Sequence, residues 1–125
     1  MGQTAIGKNI GCDFMRFFDK ITEKCVDVEG ETITVGRQPG NDLLLPPGEN
    51  RIALYGYPSG PVILGQTVSR HHAKIHAKDW GTYIEDLGST GGTRVNEEYV
   101  RKGVVREIKP GDVIRFGSYV LEFKG

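Results

Sequence analysis

The sequence has few cysteines, no net charge and no long apolar run, and each absence excludes a class of protein. Only Cys12 and Cys25 occur in 125 residues, so a disulfide framework is excluded; a single bridge stays open, but a reduced intracellular protein is favoured. The 16 basic and 16 acidic residues cancel, which leaves no overall field to attract nucleic acid or an anionic membrane. No segment could insert as a transmembrane helix, and no signal-peptide run is present. We expect a cytoplasmic location, with the nucleus as the alternative.

Glycine, in contrast, is abundant at 18 residues, and this indicates many turns between short strands. The length fits one domain with a core large enough to fold without disulfides or a structural metal. We expect residues 1–11 to be a flexible lead-in and residues 12–125 to form a single domain. Residues 46–67 are rich in proline and glycine without a sustained period, which predicts a long loop insertion. This loop is either a tolerated surface insertion or a binding element.

Period-two alternation predicts an all-β fold. Ala73, Ile75 and Ala77 alternate with polar residues, so Ala73–Lys78 is predicted as a half-buried strand. Short strands separated by turn residues, with no convincing long helix, are typical of a β-sandwich. A short helix over Asp13–Lys24 is the alternative to the first strand. The other predicted strands lie near Phe14–Phe18, Cys25–Val28, Thr32–Gly36, Thr82–Asp86, Thr93–Val95, Val104–Ile108, Asp112–Phe116 and Tyr119–Phe123.

Polar residues that suit an anion gather at three predicted loops. Ser69, Arg70, His71 and His72 stand at the entry of the central strand, where a rigid sheet can hold them still. Gly36-Arg37 ends an earlier strand, and a turn rich in glycine and hydroxyl groups, residues 88–93, follows a later one. If these loops meet, they present two guanidinium groups, several hydroxyls and flexible backbone N–H groups. That combination suits a doubly charged phosphate.

Four motifs, in this order along the chain, resemble the forkhead-associated (FHA) family. They are Gly36-Arg37, Ser69-Arg70-His71-His72, Gly88-Ser89-Thr90-Gly91-Gly92-Thr93 with Val95-Asn96, and Lys109-Pro110-Gly111-Asp112-Val113-Ile114-Arg115-Phe116-Gly117. The resemblance implies an FHA-like β-sandwich of two antiparallel sheets, with about eleven strands and the ligand loops at one end. It also implies binding of phosphothreonine peptides, with phosphothreonine preferred to phosphoserine.

The resemblance implies phosphopeptide-binding roles for five residues. Arg37 would grip the phosphate or hold the ligand backbone, and Ser69 would donate its hydroxyl to a phosphate oxygen. Arg70 would add a second charge-assisted contact, and Thr90 would lie against the peptide. Gly91 stands where the family has an asparagine that brackets the peptide backbone, so that contact is missing here.

Two further residues would have structural roles at the site. The resemblance implies that Gly36 shapes its turn and that His72 ties the loops together by hydrogen bonds without touching the ligand. The resemblance also implies that Gly91→Asn would tighten peptide binding, because the asparagine amide can donate to and accept from the ligand backbone. We expect the change to be sterically possible, since asparagine tolerates left-handed backbone conformations well. The alternative is that Arg94 or the long loop already compensates, so that the new side chain would clash.

The preferred hypothesis is a non-enzymatic module that binds phosphothreonine in a partner protein for signalling or assembly. The alternative is an FHA-like scaffold that binds a partner independently of phosphate, through Tyr55 and Tyr57. Ser69 and His72 suggest a nucleophile and a base, but no orienting acid follows at a recognisable spacing, so we expect no catalysis. Histidine and cysteine lack metal-ligand spacing, and we expect neither metal nor cofactor. Trp80 is expected to be a packing residue.

Overall fold

The computed structural model describes residues 14–45, 54–57, 60–63 and 67–125, and its regular structure there consists of short β-strands with no α-helix. The strands predicted from the sequence are all present, and the helical alternative is wrong because Phe14–Asp19 is a strand. In chain order they are β1 Phe14–Asp19, β2 Lys24–Glu29, β3 Thr32–Gly36, β4 Leu43–Leu44, β5 Leu54–Tyr57, β6 Gly60–Ile63, β7 Ala73–Lys78, β8 Gly81–Asp86, β9 Thr93–Val95, β10 Glu98–Tyr99, β11 Val105–Ile108, β12 Val113–Phe116 and β13 Tyr119–Phe123. Across these described ranges, no helix offers the length and apolarity needed to cross a membrane.

Eleven of the strands form two sheets, which confirms the expected sandwich. The six-stranded sheet has the order β10-β9-β12-β13-β1-β2, and the five-stranded sheet has the order β11-β8-β7-β3-β4. Pairing is antiparallel except between β3 and β4, where Val35 lies opposite Leu43 in parallel register. The two sheets are thus antiparallel as predicted, with this one parallel pair among the described strands. Residues 37–42 form a loop that brings the chain back beside the end of β3 in the same direction.

Apolar residues from both sheets share one core, as the period-two patterns predict. Tyr119, Leu121 and Phe123 point inward from β13, and the Phe17 ring lies 5.4 Å from the Phe123 ring, centroid to centroid. Burying a large aromatic in such a core is worth several kcal/mol, and Phe17→Ala would cost about 3–5 kcal/mol. The other core residues are Met15, Val28, Ile33, Val35, Leu43, Leu45, Val68, Ala73, Ile75, Ile84, Val95, Val100, Ile108, Ile114 and Phe116.

Two segments of the chain and the burial of one residue differ from the sequence-based expectations. The insertion was expected to be a loop, but β5 and β6 pair within it, with Leu54 opposite Ile63. Strands of four residues that contain glycine or proline are too short for a period-two signal. The segment after Val95 was expected to be a connection only, but it turns back at once into β10. Trp80 is 73% exposed, because it lies at the tip of the β7–β8 hairpin, beyond the core.

The turn between β9 and β10 has left-handed backbone conformations and is stabilised by ion pairs to Glu97. Asn96 and Glu97 both have positive φ, 50° and 72°, as in the two-residue turns that join tight hairpins. Arg115 donates to the Glu97 carboxylate at 2.7 Å and Arg94 donates to it at 3.2 Å. The hydrogen bond from Arg115 is the main reason that the pKa of Glu97 lies below its usual range.

The strand pairing brings three connections to one end of the sandwich. Val35, near the end of β3, lies opposite Ala73 at the start of β7, and Ala73 lies opposite Asp86 at the end of β8. The segments that follow β3, precede β7 and follow β8 are therefore neighbours. These segments carry the polar residues that the sequence analysis selected.

Candidate functional site

Three loops meet at this end, and backbone hydrogen bonds join them. We name them the Arg37 loop (residues 37–42), the Ser69 loop (residues 67–72) and the Thr90 loop (residues 87–92). The Arg37 backbone N–H donates to the Ser69 carbonyl at 3.0 Å. The Thr90 backbone N–H donates to the Ser69 hydroxyl oxygen at 3.0 Å. Ser69 is thus bonded to both neighbouring loops, and its hydroxyl hydrogen is left to donate elsewhere.

His72 connects the Ser69 loop to the Thr90 loop from beneath. Its side chain is fully buried; Nδ1 accepts the Ser69 backbone N–H at 3.0 Å and Nε2 lies 2.9 Å from the Gly92 carbonyl oxygen. Because Nδ1 is an acceptor, the ring proton belongs on Nε2, which donates to Gly92. Burial lowers the pKa of His72 below its ordinary value, although the Gly92 carbonyl and Asp86 oppose this shift. The imidazole is therefore neutral, and its two nitrogens join the Ser69 loop to the Thr90 loop.

Two arginines supply the positive charge. The Arg37 Nε donates to the Val68 carbonyl at 2.9 Å, which fixes the guanidinium and leaves its terminal N–H groups to bind an anion. Both Arg37 and Arg70 are exposed. Neither has an acidic ion-pair partner within the part of the chain that the structure describes, whereas Arg94, Arg106 and Arg115 are paired with Glu97 or Glu98.

Asp86 organises the Thr90 loop. Its carboxylate accepts the backbone N–H groups of Gly88 at 2.8 Å and Ser89 at 3.0 Å, and the hydroxyls of Ser89 and Thr93. Burial opposes ionisation of this carboxyl, but the four hydrogen bonds outweigh burial and hold the pKa of Asp86 below its usual range. The Ser89 hydroxyl oxygen accepts the Gly92 N–H in turn. Thr90 and Gly91 are consequently presented as an exposed tip.

Gly36 is required by a close backbone approach, not by its backbone dihedral. A Cβ atom at this position would collide with the Arg70 carbonyl oxygen and lie 2.7 Å from the Asn41 Nδ2. Asn41 was not selected from the sequence, yet its Nδ2 donates to the Gln38 carbonyl at 2.7 Å and to the Arg70 carbonyl at 2.8 Å. The Asn41 side chain thereby joins the Arg37 loop to the Ser69 loop. Its only signal in the sequence is its place in a short turn.

Gly91 has no room for a side chain, so the expectation that asparagine would fit there is wrong. A Cβ atom on Gly91 would lie 2.5 Å from the Thr67 carbonyl oxygen and 3.0 Å from the Gly117 Cα. Its φ is not among the positive values, so the left-handed conformation on which that expectation rested is absent. Thr67 is held in place, because its hydroxyl oxygen accepts the Ser118 N–H at 2.8 Å. The Thr67 backbone therefore crosses the space where a residue 91 side chain would begin.

The geometry suits anion binding and does not suit acyl transfer. His72 Nδ1 takes the Ser69 backbone N–H while the Ser69 hydroxyl accepts from Thr90, so the imidazole is not placed to deprotonate that hydroxyl. Within the described ranges, no group of three or more histidine, cysteine or acidic side chains is arranged to hold a metal ion. Cys25 is a free, exposed thiol on β2. All seven residues selected from the sequence lie on or next to the three loops.

Comparison with known proteins identifies relatives by sequence. The sequence is 30% identical over 92 residues to the oxoglutarate dehydrogenase inhibitor of Corynebacterium diphtheriae, which covers 74% of this chain and 50% of that protein. It is 40% identical over 53 residues to protein FraH of Nostoc sp., which covers 42% of this chain and 18% of that protein. The chain thus spans half or less of the length of these two relatives.

The fold is shared with solved structures. The N-terminal FHA domain from S. cerevisiae Rad53p, solved in complex with a phosphothreonine peptide, superposes with a TM-score of 0.65 at 20% sequence identity, over 89% of this chain and 92% of that one. The FHA domain profile matches residues 33–117, which extend from β3 through β12 and include all three loops. The chain therefore belongs to the FHA domain family.

Proposed function

We propose that this chain is a non-enzymatic module that binds phosphothreonine in a partner protein through the Arg37, Ser69 and Thr90 loops. One observation carries the proposal: Arg37 and Arg70 are exposed and without acidic partners in the described ranges, they lie on two loops that are hydrogen-bonded at Ser69, and the Ser69 hydroxyl keeps its hydrogen to donate. A dianionic phosphate can accept from both guanidinium groups and from this hydroxyl at once. The solved Rad53p domain, with its phosphothreonine peptide, supports the same use of the fold.

The energetics favour discrimination between modified and unmodified peptides. Hydrogen bonds to a charged group contribute about 1.5–3 kcal/mol each, compared with about 1 kcal/mol for neutral ones. Three such bonds to one phosphate therefore separate a phosphorylated peptide from its unmodified form by orders of magnitude in dissociation constant. Recognition of phosphorylated motifs by arginine clusters is a recurrent mode of peptide binding.

Gly91 supports the second candidate, an FHA-like scaffold that binds its partner independently of phosphate. The side chain that would bracket the peptide backbone in the family is absent, and the Thr67 carbonyl leaves no room to restore it. The arginines and Ser69 still make phosphate recognition the better supported function, because phosphate-independent binding does not require hydrogen-bond donors that are held ready for an anion.

The two candidates are separated by a degenerate phosphothreonine peptide library, captured on the purified chain before and after phosphatase treatment. Phosphate recognition predicts capture that disappears after treatment, and weaker capture of a matched phosphoserine library. Capture that survives phosphatase treatment would favour the scaffold. A tyrosine-phosphorylated library of the same composition controls for general attraction of anionic peptides.

A further inference from the structure

Two glycines of the Thr90 loop with left-handed φ each leave space for a side chain from β10 or the turn after it. Gly92 has φ +83°, and a Cβ there would lie 2.8 Å from the Tyr99 Cε1 atom. Gly88 has φ +86°, and a Cβ there would lie 3.3 Å from Lys102 Cδ and Cε and 3.4 Å from its Nζ. The Lys102 side chain therefore lies along the backbone of the Thr90 loop, with its ammonium beside Gly88.

The turn that carries Lys102 is fixed to the same end of the sandwich. The Val100 N–H donates to the Thr93 carbonyl at 2.9 Å, directly after the Thr90 loop. The Val104 N–H donates to the Arg101 carbonyl at 3.0 Å, and Gly103 has φ +85°, so residues 101–104 form a tight turn. A tight turn anchored to Thr93 holds the base of Lys102 still relative to the loop.

Lys102 is exposed and has no acidic ion-pair partner in the ranges that the structure describes. Neighbouring cations differ: Arg106 is 3.0 Å from Glu98, and Arg94 is 3.2 Å from Glu97. The acidic side chains of β10 and of the turn before it, Glu98 and Glu97, are thus already engaged by arginines. A ligand that enters the site meets a cation beside Gly88 whose charge the described fold does not neutralise.

We propose that Lys102 determines specificity by binding a second anionic group of the ligand, either a carboxylate or a second phosphate close to the phosphothreonine. This inference depends on the proposed phosphothreonine recognition and adds a selected chemical feature to it. The loop contacts place the ammonium beside Gly88 and outside the Arg37–Ser69–Arg70 group that would hold the phosphothreonine itself.

The expected effect is modest, because the pair would be exposed. Such ion pairs change affinity by about two- to fivefold, and salt screens them. We therefore expect a preference of that size for an acidic residue at one position of the peptide, which weakens as ionic strength rises.

The test compares four proteins against phosphothreonine peptides in which each flanking position is varied among alanine, aspartate, phosphoserine and lysine. The proteins are wild type, Lys102→Gln, Lys102→Glu and Lys78→Gln. Lys78 is a matched control, since it is an exposed lysine at the opposite end of β7. Circular dichroism of each variant confirms the fold.

The inference predicts that wild type and Lys78→Gln prefer an acidic residue at one position, that Lys102→Gln loses this preference, and that Lys102→Glu prefers lysine there. If phosphoserine at that position raises affinity more than aspartate does, the second group is a phosphate. If the two raise affinity equally, Lys102 accepts any anionic group. The same preference in Lys102→Gln, with phosphothreonine dependence intact, would overturn the inference while leaving the proposed function. Loss of phosphothreonine dependence in wild type would overturn both.

Discussion

Single residues at the site differ in how much of their hydrogen-bonding capacity the fold already uses. The Ser69 hydroxyl oxygen accepts the Thr90 N–H, and its hydrogen remains available to donate. Arg37 donates only its Nε–H, to the Val68 carbonyl. Both are therefore pre-oriented donors, which lowers the entropic cost of ordering them when a ligand binds. Arg70, in contrast, is tied through its backbone carbonyl, which accepts from Asn41.

Arg37→Ala and Ser69→Ala should each weaken phosphopeptide binding at least about tenfold, because each removes a charge-assisted contact worth about 1.5–3 kcal/mol. The thermal midpoint should change little, since Arg37 is exposed and Ser69 is only partly buried. Arg37→Lys keeps the charge without the planar fork and should give an intermediate loss. Isothermal titration calorimetry measures all three, and unchanged dissociation constants for both alanine variants would refute the phosphate assignment.

Residue 91 should tolerate no side chain. Gly91→Ala and Gly91→Asn should both lower the free energy of unfolding by about 1–3 kcal/mol, because each Cβ would press on the Thr67 carbonyl. Neither variant should bind phosphopeptide more tightly than wild type. Chemical denaturation and a peptide titration on the same samples decide this. A stable Gly91→Asn that binds more tightly would mean that Thr67 moves aside freely.

Whole elements explain why the three loops are rigid. The Thr90 loop has no regular structure, yet Asp86 accepts four hydrogen bonds within it or from the residue that follows it. A carboxylate that satisfies several backbone and hydroxyl donors replaces the pairing that a strand would provide. The shape of this loop therefore depends on one residue at the end of β8.

Asp86→Asn should lower stability by about 1.5–3 kcal/mol and weaken phosphopeptide binding with it, because an amide presents a donor where Ser89 and Thr93 also donate. Asp112→Asn is the matched control. Asp112 accepts the Lys109 N–H and the Asn96 Nδ2 in a turn away from the three loops. The Asp112→Asn variant should be less stable than wild type and should bind the phosphopeptide with unchanged affinity. Equal affinity losses in both variants would show that general destabilisation, and not loop shape, controls binding.

The strands predicted most clearly from the sequence are those in which apolar and polar residues alternate over five or more positions. β7 and β13 alternate over five or six residues and were predicted correctly, whereas β4, β5, β6 and β10 have two to four residues and were missed. The equally short β9, β11 and β12 were predicted because clear turn residues bound them. At the site, motif order was enough to select Arg37, Ser69 and the Thr90 loop. Asn41 and Thr67 were missed because they act on backbone atoms distant in sequence, which no local pattern records.

The stability of the whole molecule should depend on pH through His72. This residue joins two loops and packs edge-on against the Phe116 ring, with 5.7 Å between the ring centroids. Burial depresses its pKa, so below the ordinary value of about 6.5 the unfolded chain binds a proton that the folded chain does not. The free energy of unfolding should therefore decrease as pH falls below about 6.5 and be independent of His72 above it.

Denaturation at pH 7.5 and 5.5 checks this for wild type and His72→Gln, and the variant should show the smaller decrease. Since His72→Gln can fail to fold, an NMR titration of the wild-type ring provides a second measurement. A His72 pKa at or above about 6.5 would contradict the neutral, buried imidazole.

The central claim is that phosphothreonine binds where the three loops meet, and an NMR titration of the ¹⁵N-labelled chain tests it most directly. A phosphothreonine peptide should shift the amide signals of Ser69, Arg70 and Thr90, and leave the β7–β8 hairpin tip at Trp80 unchanged. The dephosphorylated peptide at the same concentration should shift none of them. Shifts at the loops with both peptides, or shifts confined to other surfaces, would contradict the claim.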